Sequence, residues 1–163
     1  MSKVGLSKII SDHFTTFKKY KTQEVNYLDY IVFIVLPLIC STLLIYFKVV
    51  ITKELSSILI TALSIFAALL FNLLLLVYDI INKNNHSDNA LKQRFLKEIY
   101  SNISYSILVS IFSVIILIGN YYFSCGIIYL TINLIGYFFI FSFVLTLFMI
   151  LKRIHILLSK EFS

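Results

Sequence analysis

Ser57–Ile81, SILITALSIFAALLFNLLLLVYDII, is the stretch of sequence that decides the fold. It has 25 residues and no charge before Asp79, and a helix of this length crosses a hydrocarbon core of about 30 Å. Small and polar residues recur along it at steps of three, four or seven, which places them on one face of a helix. Such a face is unfavourable against lipid, so we expect it to contact protein or water and the segment to lie inside a bundle, with the other spans around it. Its members are Ser57, Thr61, Ser64, Ala68, Asn72 and Asp79.

The composition of the whole chain also indicates membrane insertion. Of 163 residues, 60% are hydrophobic and 13% are charged, whereas soluble domains are about 45–50% apolar and about 25% charged. The net charge of +6 would favour nucleic acid in a soluble protein. Here Lys and Arg cluster beside apolar segments, where they orient membrane helices. Nucleic-acid binding is therefore not expected.

Four apolar segments predict an all-α integral membrane protein whose residues 28–151 form a four-helix transmembrane bundle. The spans are expected at about 30–50, 57–81, 103–123 and 127–151. The remaining segments are then an N-terminal arm, short connections, one hydrophilic loop and a tail.

The third predicted span repeats the two-faced pattern of the second. Small side chains at such steps let helix backbones approach closely, and a buried amide bonds across helices. Asn72 either forms such a clamp, within the chain or between subunits, or lines a narrow polar path in a ring of subunits. We expect helix packing or pore lining from Thr61, Ser64, Ala68, Asn72, Ser106, Ser110, Ser113 and Asn120.

Residues 1–27 have the pattern of a basic amphipathic arm. Apolar side chains and His13 follow one helical face and lysines follow the other, which is typical of a helix lying among anionic lipid headgroups. Packing against a soluble partner is the alternative. His13 is either a pH sensor or an interfacial residue with its ring tip in water.

The loop 82–102 predicts a cytoplasmic helical extension that starts at Ser87 or Asp88 and continues into the third span. Residues 152–163 form a basic cytoplasmic tail. The extension is the expected docking surface for a cytoplasmic partner, through Leu91, Lys92, Arg94, Phe95 and Lys97.

The distribution of Lys and Arg predicts the orientation. Five lie in the arm, four in the loop and three in the tail, against Lys48 and Lys53 on the opposite side. This excess places both termini in the cytoplasm. The abundance of Ile, Phe, Tyr, Asn and Lys is typical of a low-GC bacterium, so we expect a multi-pass protein of the bacterial inner membrane.

No motif for catalysis or cofactor binding is found: the sequence lacks GxSxG, P-loop, HExxH and CxxC patterns. His13, His86 and His155 have no carboxylate or cysteine paired with them, so no metal site is expected. Cys40 and Cys125 make no disulfide framework. Ionisable residues lie only at span ends, which argues against an ion-coupled carrier. We therefore expect no enzyme and no cofactor.

Four features occur together: the basic arm, YLDY at Tyr27–Tyr30, LLFNLLLLVYD at Leu69–Asp79 and LKQRFLKEI at Leu91–Ile99. In this layout the chain resembles the small multi-span membrane proteins of bacterial antiphage defence islands, including membrane accessories of type VI-B CRISPR loci and the membrane subunit of Kiwa systems. The resemblance implies a membrane effector or sensor that works with a cytoplasmic partner and has no active-site residues.

Two functions follow as hypotheses. The first is a non-enzymatic, oligomeric inner-membrane effector, sensor or accessory of antiphage defence, which perturbs or gates the membrane with a cytoplasmic partner. The second is a structural membrane anchor or assembly factor that recruits a soluble partner without pore activity. An intramembrane enzyme or carrier ranks last, because no residues for such chemistry are found.

Overall fold

The computed structural model describes residues 5–16, 27–83, 90–123 and 126–161, with the backbone alone at 27–30, 90–91 and 160–161. Within these ranges the chain is all-helical, as predicted. Three helices are long and apolar enough to cross a membrane, and a fourth is shorter and apolar, which agrees with a helical membrane protein. The helices are α1 Leu6–Thr15, α2 Tyr27–Tyr46, α3 Lys53–Lys83, α4 Ala90–Gly119 and α5 Gly126–Glu161.

Helix α4 lies at the centre of the arrangement. It packs against α3, α5 and α1, and α5 packs in turn against α2. These four helices therefore lie side by side in the spatial order α3, α4, α5, α2. Within the described ranges, α2 and α3 make no close backbone contact, so these two are the outer helices and expose much of their surface.

Helix α3 packs mainly through Leu63, Leu70 and Val77 rather than through the small and polar face predicted from the sequence. Ser56, Leu63, Leu70 and Val77 are its buried positions, and their seven-residue spacing is that of helices packed side by side. The prediction that the polar face lies inside the single-chain bundle is wrong, because that face is exposed. Burial of leucine and valine contributes more apolar area than burial of serine or alanine would. The exposed residues are Thr61, Ser64, Ala68 and Asn72.

The exposed hydroxyls on α3 are also satisfied without a second helix. The Thr61 hydroxyl donates to the Ser57 carbonyl oxygen at 2.9 Å, and the Ser64 hydroxyl donates to the Ile60 carbonyl oxygen at 2.8 Å. Such bonds to the preceding turn are common for Ser and Thr in membrane helices. These two side chains therefore do not require burial against α4.

Helices α4 and α5 form an antiparallel pair with small polar residues on both sides. Ser142 and Thr146 of α5 are buried, as are the predicted packing residues Ser106, Ser110 and Ser113 of α4. Small side chains allow close approach of two helices. Within one chain, the small polar residues predicted to pack are thus buried on α4, which lies between α3 and α5.

Helix α2 ends at Tyr46, four residues earlier than the sequence predicts. Lys48 adopts a left-handed backbone conformation with φ of 57°, which ends the helix and turns the chain. The connection then carries Ile51 back into the protein, where only 2% of its surface is exposed. Helix α4 likewise ends at Gly119, before the predicted 123, because Asn120 engages this connection.

Candidate functional site

Buried and half-buried polar side chains gather at the two ends of the bundle. The first group, called here the His13 cluster, comprises His13, Thr16, Glu98, Asn102 and Arg153. The second, called the asparagine clamp, comprises Asn120 and Asn133 around Ile51. Along α4 the two groups are separated by the 18 residues from Asn102 to Asn120, or about 27 Å of helix. This separation is close to the thickness of a hydrocarbon core.

The His13 cluster is built where the last turn of α1 meets α4. The His13 ring stacks on Tyr105 with ring centres 3.8 Å apart, and it meets Phe33 of α2 edge-on at 6.1 Å. His13 Nδ1 lies 2.9 Å from Asn102 Oδ1; in the tautomer with its proton on Nδ1, the imidazole donates this bond. His13 is 1% exposed, so one ring joins three helices.

Charged side chains extend the cluster to α5. Arg153 donates from Nη1 to Glu98 Oε2 at 2.9 Å and from Nη2 to the Thr16 carbonyl oxygen at 2.9 Å. Glu98 also accepts a hydrogen bond from Arg94 Nε at 3.0 Å. The Thr16 carbonyl lies at the C-terminal end of α1, where positive charge is favourable. Arg153 therefore fastens α1 and α4 to α5.

The environment of His13 keeps its imidazole neutral. Burial lowers the pKa of His13 from 6.5 to about 4, because desolvation disfavours the charged form. The hydrogen bond to Asn102 acts in the opposite direction, and the Arg153 guanidinium lowers the pKa further. At neutral pH the cluster thus contains an uncharged histidine beside a compensated Arg–Glu pair.

Three buried polar atoms near the cluster have no hydrogen-bond partner among the described residues: Ser101 Oγ, Asn102 Nδ2 and Ser106 Oγ. Buried polar groups are normally paired. All three lie on α4 within about 8 Å of helix length. This part of α4 therefore keeps donors that the described side chains do not use.

The asparagine clamp holds the α2–α3 connection between α4 and α5. Asn133 Oδ1 accepts from the Ile51 backbone N–H at 2.6 Å, and Asn120 Nδ2 donates to the Ile51 carbonyl oxygen at 2.8 Å. Asn133 Nδ2 also donates to Asn120 Oδ1 at 3.3 Å. Both polar groups of one buried loop residue are thereby satisfied, which removes the cost of leaving them unpaired.

The structure separates the predicted packing or pore-lining residues into two sets. Ser106, Ser110, Ser113 and Asn120 are buried, whereas the four on α3 are exposed on the single chain. Among the described residues, Asn72 has no hydrogen-bond partner on another helix, so the clamp within the chain is not found there. A contact between copies, or a position along a polar path, stays a prediction.

The predicted docking residues lie on the first turns of α4. Lys97 is exposed, and Lys92, Arg94 and Phe95 are half-buried. The Leu91 side chain, His86 and Cys125 lie outside the described residues, while Cys40 is half-buried on α2. In the described ranges, no group of three potential metal ligands is found.

The sequence did not reveal how His13, Glu98 and Arg153 come together, because they lie on three different helices. One signal was present: Asn102 stands one turn after Glu98, at the start of the small polar face of α4. Asn133 shares a face with Gly136, which indicates helix packing but not capture of a loop.

Comparison with known proteins identifies no relative of the chain. No family model matches the sequence, and no curated protein and no solved structure is found to be similar to the chain. The two polar groups and the exposed face of α3 are therefore the features that indicate a function.

Proposed function

We propose that the chain is a four-span protein of the bacterial inner membrane with both termini in the cytoplasm. Helix α2 has 20 residues, or about 30 Å of helix, which supports it as the fourth span. Twelve of the 14 Lys and Arg residues lie on the side of the arm, loop and tail, which supports the orientation. Cytoplasm-specific reporters fused to each terminus test it, and a signal from the opposite side would contradict it.

Within that membrane the chain assembles with further copies through α3. The observation that supports this most is the exposed Asn72, an amide on the outer face of an apolar helix. Lipid offers an amide no hydrogen-bond partner, whereas a facing helix does. The exposed Thr61, Ser64 and Ala68 lie along the same face, where small side chains allow a second helix to approach.

The assembly acts as a non-enzymatic membrane effector, sensor or accessory that responds to a cytoplasmic partner. The His13 cluster supports this, because it links α1 directly to α4 and α5. A partner that moves α1 or the first turns of α4 would therefore disturb the spans themselves. The role in antiphage defence is the part of the proposal that comes from the resemblance described above.

A membrane anchor or assembly factor without pore activity is the second candidate. The interior between the described helices is filled with large apolar side chains such as Leu63, Ile103, Leu117 and Phe143. This filled interior leaves no conducting path between the described helices of a single chain, which favours an anchor. A conducting path would have to lie between copies.

Asn72→Leu distinguishes these readings in purified protein reconstituted into vesicles. If Asn72 bonds across copies, the substitution weakens self-association by about two- to thirtyfold, the equivalent of about 0.5–2 kcal/mol. If it lines a path, conductance falls while photobleaching step counts stay constant. Asn82→Leu, the same change at an exposed position beyond the predicted span, serves as the control.

An anchor predicts no conductance from the unmodified protein and a stable complex with its partner. The effector hypothesis is contradicted if vesicles stay impermeable under all conditions and cells that carry the gene remain fully sensitive to phage.

A further inference from the structure

A cleft of about 700 Å³ opens between α1 and the first turns of α4. Lys8 and Asp12 of α1 face it from one side, and Lys97, Glu98 and Ser101 of α4 from the other. It lies beside the His13 cluster, at the end of the apolar part of α4. The apolar residues Leu6 and Ile10 of α1 remain exposed next to it.

Two lysine ammonium groups at the cleft are not neutralised by an ion pair with the described residues. Glu98 is compensated by Arg94 and Arg153. Lys8 and Lys97 form no ion pair with any of the described residues within 4.0 Å. Ser101 Oγ is buried and has no described partner, so its hydroxyl hydrogen remains to be donated. Two ammonium groups and a hydroxyl are donors that suit a phosphate group.

We propose that this cleft binds the headgroup of an anionic phospholipid, with the phosphate between Lys8 and Lys97 and near Ser101. Asp12 accepts a hydrogen bond from a headgroup hydroxyl, as a glycerol headgroup would provide. The proposal rests on the membrane insertion given under Proposed function, since a cleft at the end of the apolar part of α4 then lies at headgroup depth. The proposal goes beyond the general affinity of a basic arm for anionic lipid, because it assigns the headgroup to a defined site.

The absence of tryptophan from the chain provides a direct assay. Tyr100 lines the cleft, so Tyr100→Trp places a single fluorophore there, with its fold checked by circular dichroism. The variant is reconstituted into bilayers that contain brominated phosphatidylglycerol or brominated phosphatidylcholine. Bromine quenches tryptophan at short range, so the ratio of quenching reports which headgroup occupies the cleft.

The expected result is preferential quenching by phosphatidylglycerol, by about fivefold or more. Lys8→Gln/Lys97→Gln brings the ratio close to one. Lys83→Gln/Lys152→Gln leaves it unchanged; these two lysines are exposed on the same predicted side but lie outside the cleft. An equal loss in both double variants, which would indicate general surface charge, overturns the proposal.

A soluble phosphate is the alternative source of the same chemistry. Glycerol 3-phosphate is therefore added to protein in phosphatidylcholine bilayers. If it changes the fluorescence while the two brominated lipids quench equally, the ligand is soluble and the lipid site is wrong. Equal quenching contradicts the site alone, whereas no quenching by either lipid contradicts membrane insertion as well.

Discussion

His13 is the residue at which the arm and two spans meet. Its ring is stacked, hydrogen-bonded and almost fully buried, and its neutral form fits this environment. Of the two sequence-based interpretations of His13, the interfacial ring with its tip in water does not fit the buried ring, whereas a response to pH stays a prediction. The structure places it instead in a dry contact, so protonation opposes docking of α1.

Acid is expected to release α1. The pKa of His13 is about 4 in the docked state against 6.5 in water, so the undocked state binds the proton first. Docking is strongest above pH 6.5, weakens as the pH falls, and has lost about 3 kcal/mol below pH 4. Hydrogen exchange of α1 amides, corrected for intrinsic exchange rates, measures this.

His13→Phe is the control for acid release, since it keeps an aromatic ring but cannot titrate. Its α1 should show no loss of protection between pH 6.5 and 5. The same acid sensitivity in this variant would assign the effect to other groups and contradict the role of His13.

Asn133 is the second residue whose own contribution can be measured, here as a contribution to the free energy of unfolding. Asn133→Leu leaves the buried Ile51 N–H without its acceptor, and an unsatisfied buried donor costs about 1–3 kcal/mol. Thermal unfolding in detergent should show this loss. Thr131→Val on the same helix removes an exposed hydroxyl that bonds only to the preceding turn, so its effect should stay within about 0.5 kcal/mol. Equal effects of the two variants would exclude the clamp.

At the scale of elements, the sequence predicts where the long helices lie in the chain, but not which face of each helix contacts its neighbours. Hydropathy and length locate α3, α4 and α5, because a span must be apolar and about 20 residues long. Helix ends depend on particular contacts: α2 stops early because the chain turns at Lys48 and inserts Ile51. Helix α3 carries both a polar stripe and an apolar stripe that repeats every seven residues, and the sequence does not indicate which of the two faces α4.

The α4–α5 contact gives a prediction at this scale. A Cβ atom on Gly136 would lie 3.2 Å from Ile51 Cδ1 and 3.7 Å from Ile116 Cγ2. Gly136→Leu should therefore cost about 1–3 kcal/mol by overpacking. At Gly119 a Cβ atom meets nothing within 4 Å, so Gly119→Leu should be tolerated. Thermal unfolding of both variants decides the matter, and equal stability would contradict close packing at Gly136.

At the scale of the whole molecule, the single chain buries one set of polar residues and exposes another. Its two polar groups lie at opposite ends, and its centre is filled with apolar side chains. Yet α3, an outer helix, turns a polar face with Asn72 away from the bundle. The sequence shows this stripe, but a stripe by itself does not say whether the neighbour that it meets belongs to the same chain or to another copy.

Cysteine cross-linking along α3 in native membranes tests the proposed assembly most directly. In a background with Cys40→Ala and Cys125→Ala, single cysteines replace residues on the polar face, Thr61, Ser64, Ala68 and Asn72, or exposed apolar residues beside it, Ile58, Phe66, Leu69 and Leu76. Assembly through α3 predicts that oxidation gives covalent dimers from the polar set and few from the apolar set. Equal yields from the two sets, or dimers from the apolar set alone, would contradict it.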